Sequence, residues 1–70
     1  MDNQEKQKRA AQLIAKSWQD ALDQGIESEL IASTALSASL SALVKTTGKD
    51  ATIRIIKRLM GAVEDGRFDH

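Results

Sequence analysis

The sequence predicts an all-α fold, either a small antiparallel three-helix bundle or a helical hairpin with a third helix, with homodimerisation as a way to complete it. Three observations predict it. Proline is absent from the 70 residues. Gly25, Gly48 and Gly66 divide the chain into three segments of helical length. In each segment, apolar residues recur at the three- and four-residue spacing of one helix face. We therefore expect one helical domain, residues 1–70.

The first helix is predicted over residues 3–24. Its apolar stripe has i, i+4 spacing and consists of Ala10, Ile14, Trp18 and Leu22. Asp2, three residues before Glu5, has the form of a capping box at the start. Gly25 provides a residue that easily takes the left-handed conformation ending many helices. Trp18 is interpreted as a core residue of this stripe.

The second helix is predicted over residues 28–46. Leu36, Leu40 and Leu43 form a ridge of large side chains, and the small residues Ser33, Ser37 and Ser41 form a row elsewhere on the helix. A helix that is apolar or small on every side is normally surrounded by other elements, so we expect this one to be central, with the serine row in a close helix contact. Its uncharged run, residues 30–44, is shorter than the roughly 20 apolar residues of a membrane span.

The third helix is predicted over residues 50–65, with Asp50 as its N-cap. Its core stripe is predicted to consist of Ile53, Ile56, Met60 and Val63, with Ile55 and Ala62 outside it. Gly66 is expected to end the helix, and Phe68 to fold back over the bundle end. Connections of about two to four residues make successive helices antiparallel neighbours.

Composition excludes several classes of site. Cysteine is absent and the single histidine is terminal His70, so disulfides, thiolate metal sites and a histidine zinc site within one chain are excluded, and His70 is given no role. No cofactor motif is present. The polar residues 1–9 do not resemble a signal peptide, so a cytoplasmic protein is expected. A chain of this size buries only about 60% of its surface on folding, which favours self-association.

Two clusters of charge were considered as sites. The first is a group of four carboxylates near the first connection, Asp20, Asp23, Glu27 and Glu29. Their spacing does not match a calcium-binding loop, so they are interpreted as a solvated acidic edge. The basic residues of the third helix share one face suited to phosphate contacts, Arg54, Lys57 and Arg58. The net charge of zero gives no general attraction to nucleic acid.

The function predicted from these patterns is a non-enzymatic helical module that binds another protein, a second copy of itself included. No serine has a candidate base beside it, so no nucleophilic site is expected. The alternative is a nucleic-acid-binding accessory protein that uses the basic face of the third helix. The candidate partner-binding residues are Ser33, Ser37, Ser41, Arg54, Lys57 and Arg58. No membrane span and no small-molecule substrate are expected.

Overall fold

The computed structural model describes residues 2–69 and is all-helical there, with no strand in that part of the chain. The three helices are α1 (Asn3–Asp23), α2 (Ser28–Thr47) and α3 (Lys49–Glu64). The predicted all-helical class, the number of helices and their approximate bounds are confirmed. His70, for which no role is predicted, lies outside the described residues.

The chain divides into two compact units, Met1–Ala35 and Leu36–His70. The first contains α1 and the beginning of α2, and the second contains the rest of α2 and α3. The single domain, the antiparallel bundle and the dimer all stay predictions.

Both ends of α1 have the capping predicted from the sequence. The Glu5 backbone N–H donates a 2.8 Å hydrogen bond to Asp2 Oδ1, which satisfies one of the free donors at the helix start. At the other end Gly25 has a φ of 86°. The Gly25 N–H donates to the Leu22 carbonyl, and the Ile26 N–H donates to the Ala21 carbonyl. This pair of bonds is the Schellman motif, which needs a left-handed residue where Gly25 stands.

The end of α3 repeats this motif around Gly66. Gly66 has a φ of 78°, its N–H donates to the Val63 carbonyl, and the Arg67 N–H donates to the Ala62 carbonyl. The predicted end is therefore confirmed. The predicted folding back of Phe68 is wrong, since this side chain is 55% exposed.

The connection between α2 and α3 is the single residue Gly48, shorter than the two to four residues expected. Gly48 has φ 91° and ψ 164°, a region of backbone conformation that essentially only glycine occupies. The chain therefore changes direction within one residue. Gly48 is the N-cap of α3 and Asp50 lies in its first turn, so the prediction of Asp50 as N-cap is wrong.

Hydroxyl groups hold this corner together. Thr52 Oγ1 donates a 2.7 Å hydrogen bond to the Gly48 carbonyl and lies 3.4 Å from Thr47 Oγ1. Thr47 Oγ1 in turn donates to the Leu43 carbonyl at 2.7 Å. Thr52 is 2% exposed and is the one buried residue among residues 2–69. A buried hydroxyl needs such partners, because an unpaired one costs folding free energy.

No hydrophobic side chain of residues 2–69 is buried. The predicted core residues Trp18, Leu40 and Leu43 are half-buried, while Ile14 and Leu36 are exposed. Helix α2 contains no buried residue. The central position predicted for α2 stays a prediction, as the bundle does.

The covered side of α3 differs from the predicted stripe. The half-buried apolar side chains of this helix are Ala51, Ile55, Ile56 and Ala62. Ile53, Met60 and Val63 are exposed, so the facing predicted for them within the chain is wrong. The reason is the width of the apolar surface of α3. Apolar side chains occupy more than half of the helix circumference, and only one part of this surface is half-buried within the second unit.

Candidate interaction surfaces

One apolar stripe of α3 has the spacing of a helix-pairing surface. We call it the α3 seam; it consists of the exposed Ile53, Met60 and Val63 and the half-buried Ile56. These residues recur at i, i+3, i+7 and i+10, which are the a and d positions of two heptads. Ile53, Met60 and Val63 are 39%, 55% and 61% exposed. Single exposed apolar residues are common on proteins, but a regular stripe of them marks a surface for a partner.

Charged residues border one flank of the seam. Lys57 directly follows Ile56, and Glu64 directly follows Val63, so both occupy the e position of the heptad. Both side chains are exposed. They are seven residues apart, about 10.5 Å along the helix axis, which is too far for a direct ion pair within one helix.

The basic face predicted on α3 is present in the structure. Arg54, Lys57 and Arg58 are all exposed. The ion pairs in the described part of the chain join Lys16 to Asp20 and Arg67 to Asp65, and none includes these three residues. Their cationic groups are therefore accessible to an anionic partner.

The serine row of α2 is exposed along its whole length, at Ser33, Ser37 and Ser41. Ser33 Oγ donates a 2.9 Å hydrogen bond to the Glu29 carbonyl one turn earlier, as serines in helices often do. The close helix contact predicted for this row stays a prediction.

Helix α2 is also long and apolar enough to cross a bilayer by length and composition alone. The window that meets this criterion has a mean hydropathy of 1.2, and none of it is buried. The uncharged run within α2 is shorter than a typical span, and it contains five hydroxyl side chains whose burial in hydrocarbon is costly: Ser33, Thr34, Ser37, Ser39 and Ser41.

The acidic side chains near the α1–α2 connection bond to their own helix. Asp20 pairs with Lys16 at 3.4 Å, and Asp23 Oδ1 accepts a 2.9 Å hydrogen bond from Gln19 Nε2. Within residues 2–69 there is no group of three or more histidine, cysteine, aspartate or glutamate side chains placed to hold a metal ion. A shallow depression of about 410 Å³ lies beside them, lined by Glu27, Glu29, Leu30 and Ser33. Its lining contains no imidazole or amine to act as a base for Ser33.

No protein-family model, curated protein or solved structure matches this chain. The geometry and chemistry of its surfaces are therefore the basis for assigning a function.

Proposed function

We propose that this protein is a non-enzymatic helical interaction module that works in the cytoplasm by binding a second copy of itself. The observation that supports this most strongly is the lack of any buried hydrophobic side chain in residues 2–69. Hydrophobic burial is the dominant favourable term in folding. A chain that covers so little apolar surface by itself gains stability when another molecule covers the rest, so the proposed state is a helical bundle shared between two chains.

An interface between two copies would draw on apolar side chains that are exposed in the single chain. Such side chains are present on all three helices, Ile14 on α1, Leu36 on α2 and Met60 on α3 among them.

The non-enzymatic part of the proposal rests on the side chains at these surfaces. They are mainly apolar, and the hydroxyls beside them bond to backbone carbonyls or to each other, as Ser33 and Thr52 do. Catalysis requires a reactive group held beside a base and a stabilising donor. An apolar, open surface is suited to binding another helix instead.

Sedimentation velocity and light scattering of the full chain from about 0.1 to 100 μM test self-association. We expect the mass of a dimer at the upper end, and a midpoint of thermal unfolding that rises with protein concentration, because association stabilises the folded state by mass action. Circular dichroism at each concentration reports whether helix content falls on dilution.

Two results would contradict this proposal. One is a monomer that unfolds cooperatively, with the same midpoint at every concentration. The other is a protein that floats with neutral phosphatidylcholine vesicles and stays monomeric without them, since α2 would then insert in the bilayer.

Nucleic-acid binding is the second candidate, favoured by the exposure of Arg54, Lys57 and Arg58 and by their lack of ion pairs within the described residues. If it operates, binding of a labelled duplex or single strand at low salt falls steeply as salt is raised. R54E with R58E abolishes this binding and leaves helix content unchanged, because exposed charges contribute little to stability. No detectable binding of the unmodified protein at low salt excludes this candidate.

A further inference from the structure

We infer that the α3 seam pairs with the same seam of a second copy in antiparallel orientation, and that Lys57 and Glu64 determine this orientation. This inference rests on the proposed self-association and identifies its surface. It combines two observations: the heptad spacing of the seam, three of whose four residues are exposed, and the placement of one positive and one negative charge along a single flank.

The antiparallel orientation aligns all four seam residues. Ile53 lies opposite Val63 of the partner subunit, and Ile56 lies opposite Met60 of the partner subunit. The two-fold symmetry of a homodimer repeats both layers. Each layer pairs an a position with a d position, as antiparallel helices do when side chains of one helix enter the spaces of the other. Any other register leaves at least one seam residue without an apolar partner.

The same register brings opposite charges together. Lys57 and Glu64 of the partner subunit are then offset by five residues, about 7.5 Å along the common axis. Side chains in a helix tilt toward its own N-terminus. In antiparallel helices these two side chains therefore tilt toward each other across the seam. Symmetry gives two such pairs in each dimer.

A parallel pairing of two seams places no opposite charge beside Lys57 or Glu64. The position that would face Lys57 across a parallel seam is Thr52 of the partner subunit, and Thr52 is already buried at the α2–α3 corner. The position that would face Glu64 is Leu59 of the partner subunit. Charge complementarity therefore favours a second copy in antiparallel orientation.

Exchange of the two charges tests the pairing. In K57E both flanking pairs join two glutamates, and in E64K both join two lysines. We expect each variant alone to self-associate at least about tenfold more weakly than the unmodified protein in sedimentation velocity, since two attractive pairs become repulsive. The equimolar mixture of K57E and E64K restores both opposite-charge pairs and is expected to form a heterodimer with near-original affinity.

R54E is the matched control, because it makes a similar change of charge on the part of α3 away from the seam. It is expected to leave self-association within about twofold of the original. Circular dichroism of each variant verifies that the helices form, and the absorbance ratio at 260 and 280 nm verifies that the samples contain no nucleic acid.

The outcomes separate this inference from the proposal on which it rests. If the unmodified protein is monomeric, self-association itself fails. If it dimerises but the mixture associates no more tightly than the separate variants, the α3 seam pairing is wrong and self-association stands. Loss of the dimer in S37L but not in K57E would then place the interface on the serine row of α2, since a leucine there overfills a close helix contact.

Discussion

The two connections between the helices change the chain direction by different means. Between α1 and α2 the chain uses four residues, 24–27, with a Schellman motif around Gly25 and the half-buried Trp18 before it. Between α2 and α3 it uses Gly48 alone, together with hydroxyl bonds to the buried Thr52. The first connection depends on backbone bonds. The second depends on a conformation restricted to glycine and on a polar side chain.

This difference shows how residues 2–69, which bury no hydrophobic side chain, can still fix the local path of the backbone. Hydrogen bonds and glycine conformations are short-range and need no large apolar volume. They specify where each helix begins and ends.

Replacement of Trp18 by alanine is expected to have the largest effect. A fully buried tryptophan replaced by alanine costs roughly 3 to 5 kcal/mol, and a half-buried one about 2 kcal/mol. Denaturant unfolding at one fixed protein concentration measures the change. I14A is the control on the same apolar stripe, because Ile14 is 63% exposed and its truncation is expected to cost less than W18A. Equal costs would mean that the partial burial of Trp18 adds nothing to stability.

Alanine at the glycines tests the second connection. G48A is expected to lower the free energy of unfolding by about 2 kcal/mol, because its conformation is essentially restricted to glycine. G25A, with a φ of 86°, is expected to cost about 1 kcal/mol. A Cβ at either position meets no atom within 4 Å, so both costs are backbone strain and not steric overlap.

The same glycine-to-alanine change at position 61, G61A, is expected to raise the free energy of unfolding instead of lowering it. Gly61 lies inside α3 with no atom within 4 Å of an added Cβ, so alanine is expected to stabilise the helix by about 0.5 to 1 kcal/mol. If G48A were as harmless as G61A, the one-residue corner would not need glycine, and the contrast between the two connections would disappear.

Loss of the buried hydroxyl is expected to have a modest effect. T52V keeps the shape of the side chain but removes the bond that Thr52 Oγ1 donates to the Gly48 carbonyl, at a cost of about 1 kcal/mol. The Gly48 carbonyl keeps the Thr52 N–H as a donor, which limits the loss. T46V is the control, since Thr46 makes a similar bond to the Ala42 carbonyl on an exposed surface. Indistinguishable changes in the two variants would show that burial at the corner adds nothing.

The sequence predicts the helices well because their ends carry local signals. Asp2, Gly25 and Gly66 each act within a few residues of the chain, so their effect does not depend on distant packing. The start of α3 is the exception. Asp50 has the composition of an N-cap, but Gly48 takes that position because its unusual backbone angles allow a connection of one residue.

The candidate surfaces are predicted less well, because periodicity reveals apolar faces without revealing what covers them. Ile53 and Met60 have the spacing of core residues, and spacing is the same whether the partner is in the same chain or another. The sequence gives only a weak signal for the burial of Thr52, namely that two threonines, Thr47 and Thr52, lie close to Gly48 on either side. Exposed threonine is the more common case.

The one-residue connection at Gly48 also affects the order in which the chain folds. The groups that meet at the corner, Thr47 and Thr52, are five residues apart, so closing that loop costs little chain entropy. Contacts between residues near in sequence form faster than distant ones. We therefore expect the α2–α3 corner to form early, on the microsecond timescale of helix formation, and to fix the start of α3 before more distant contacts form.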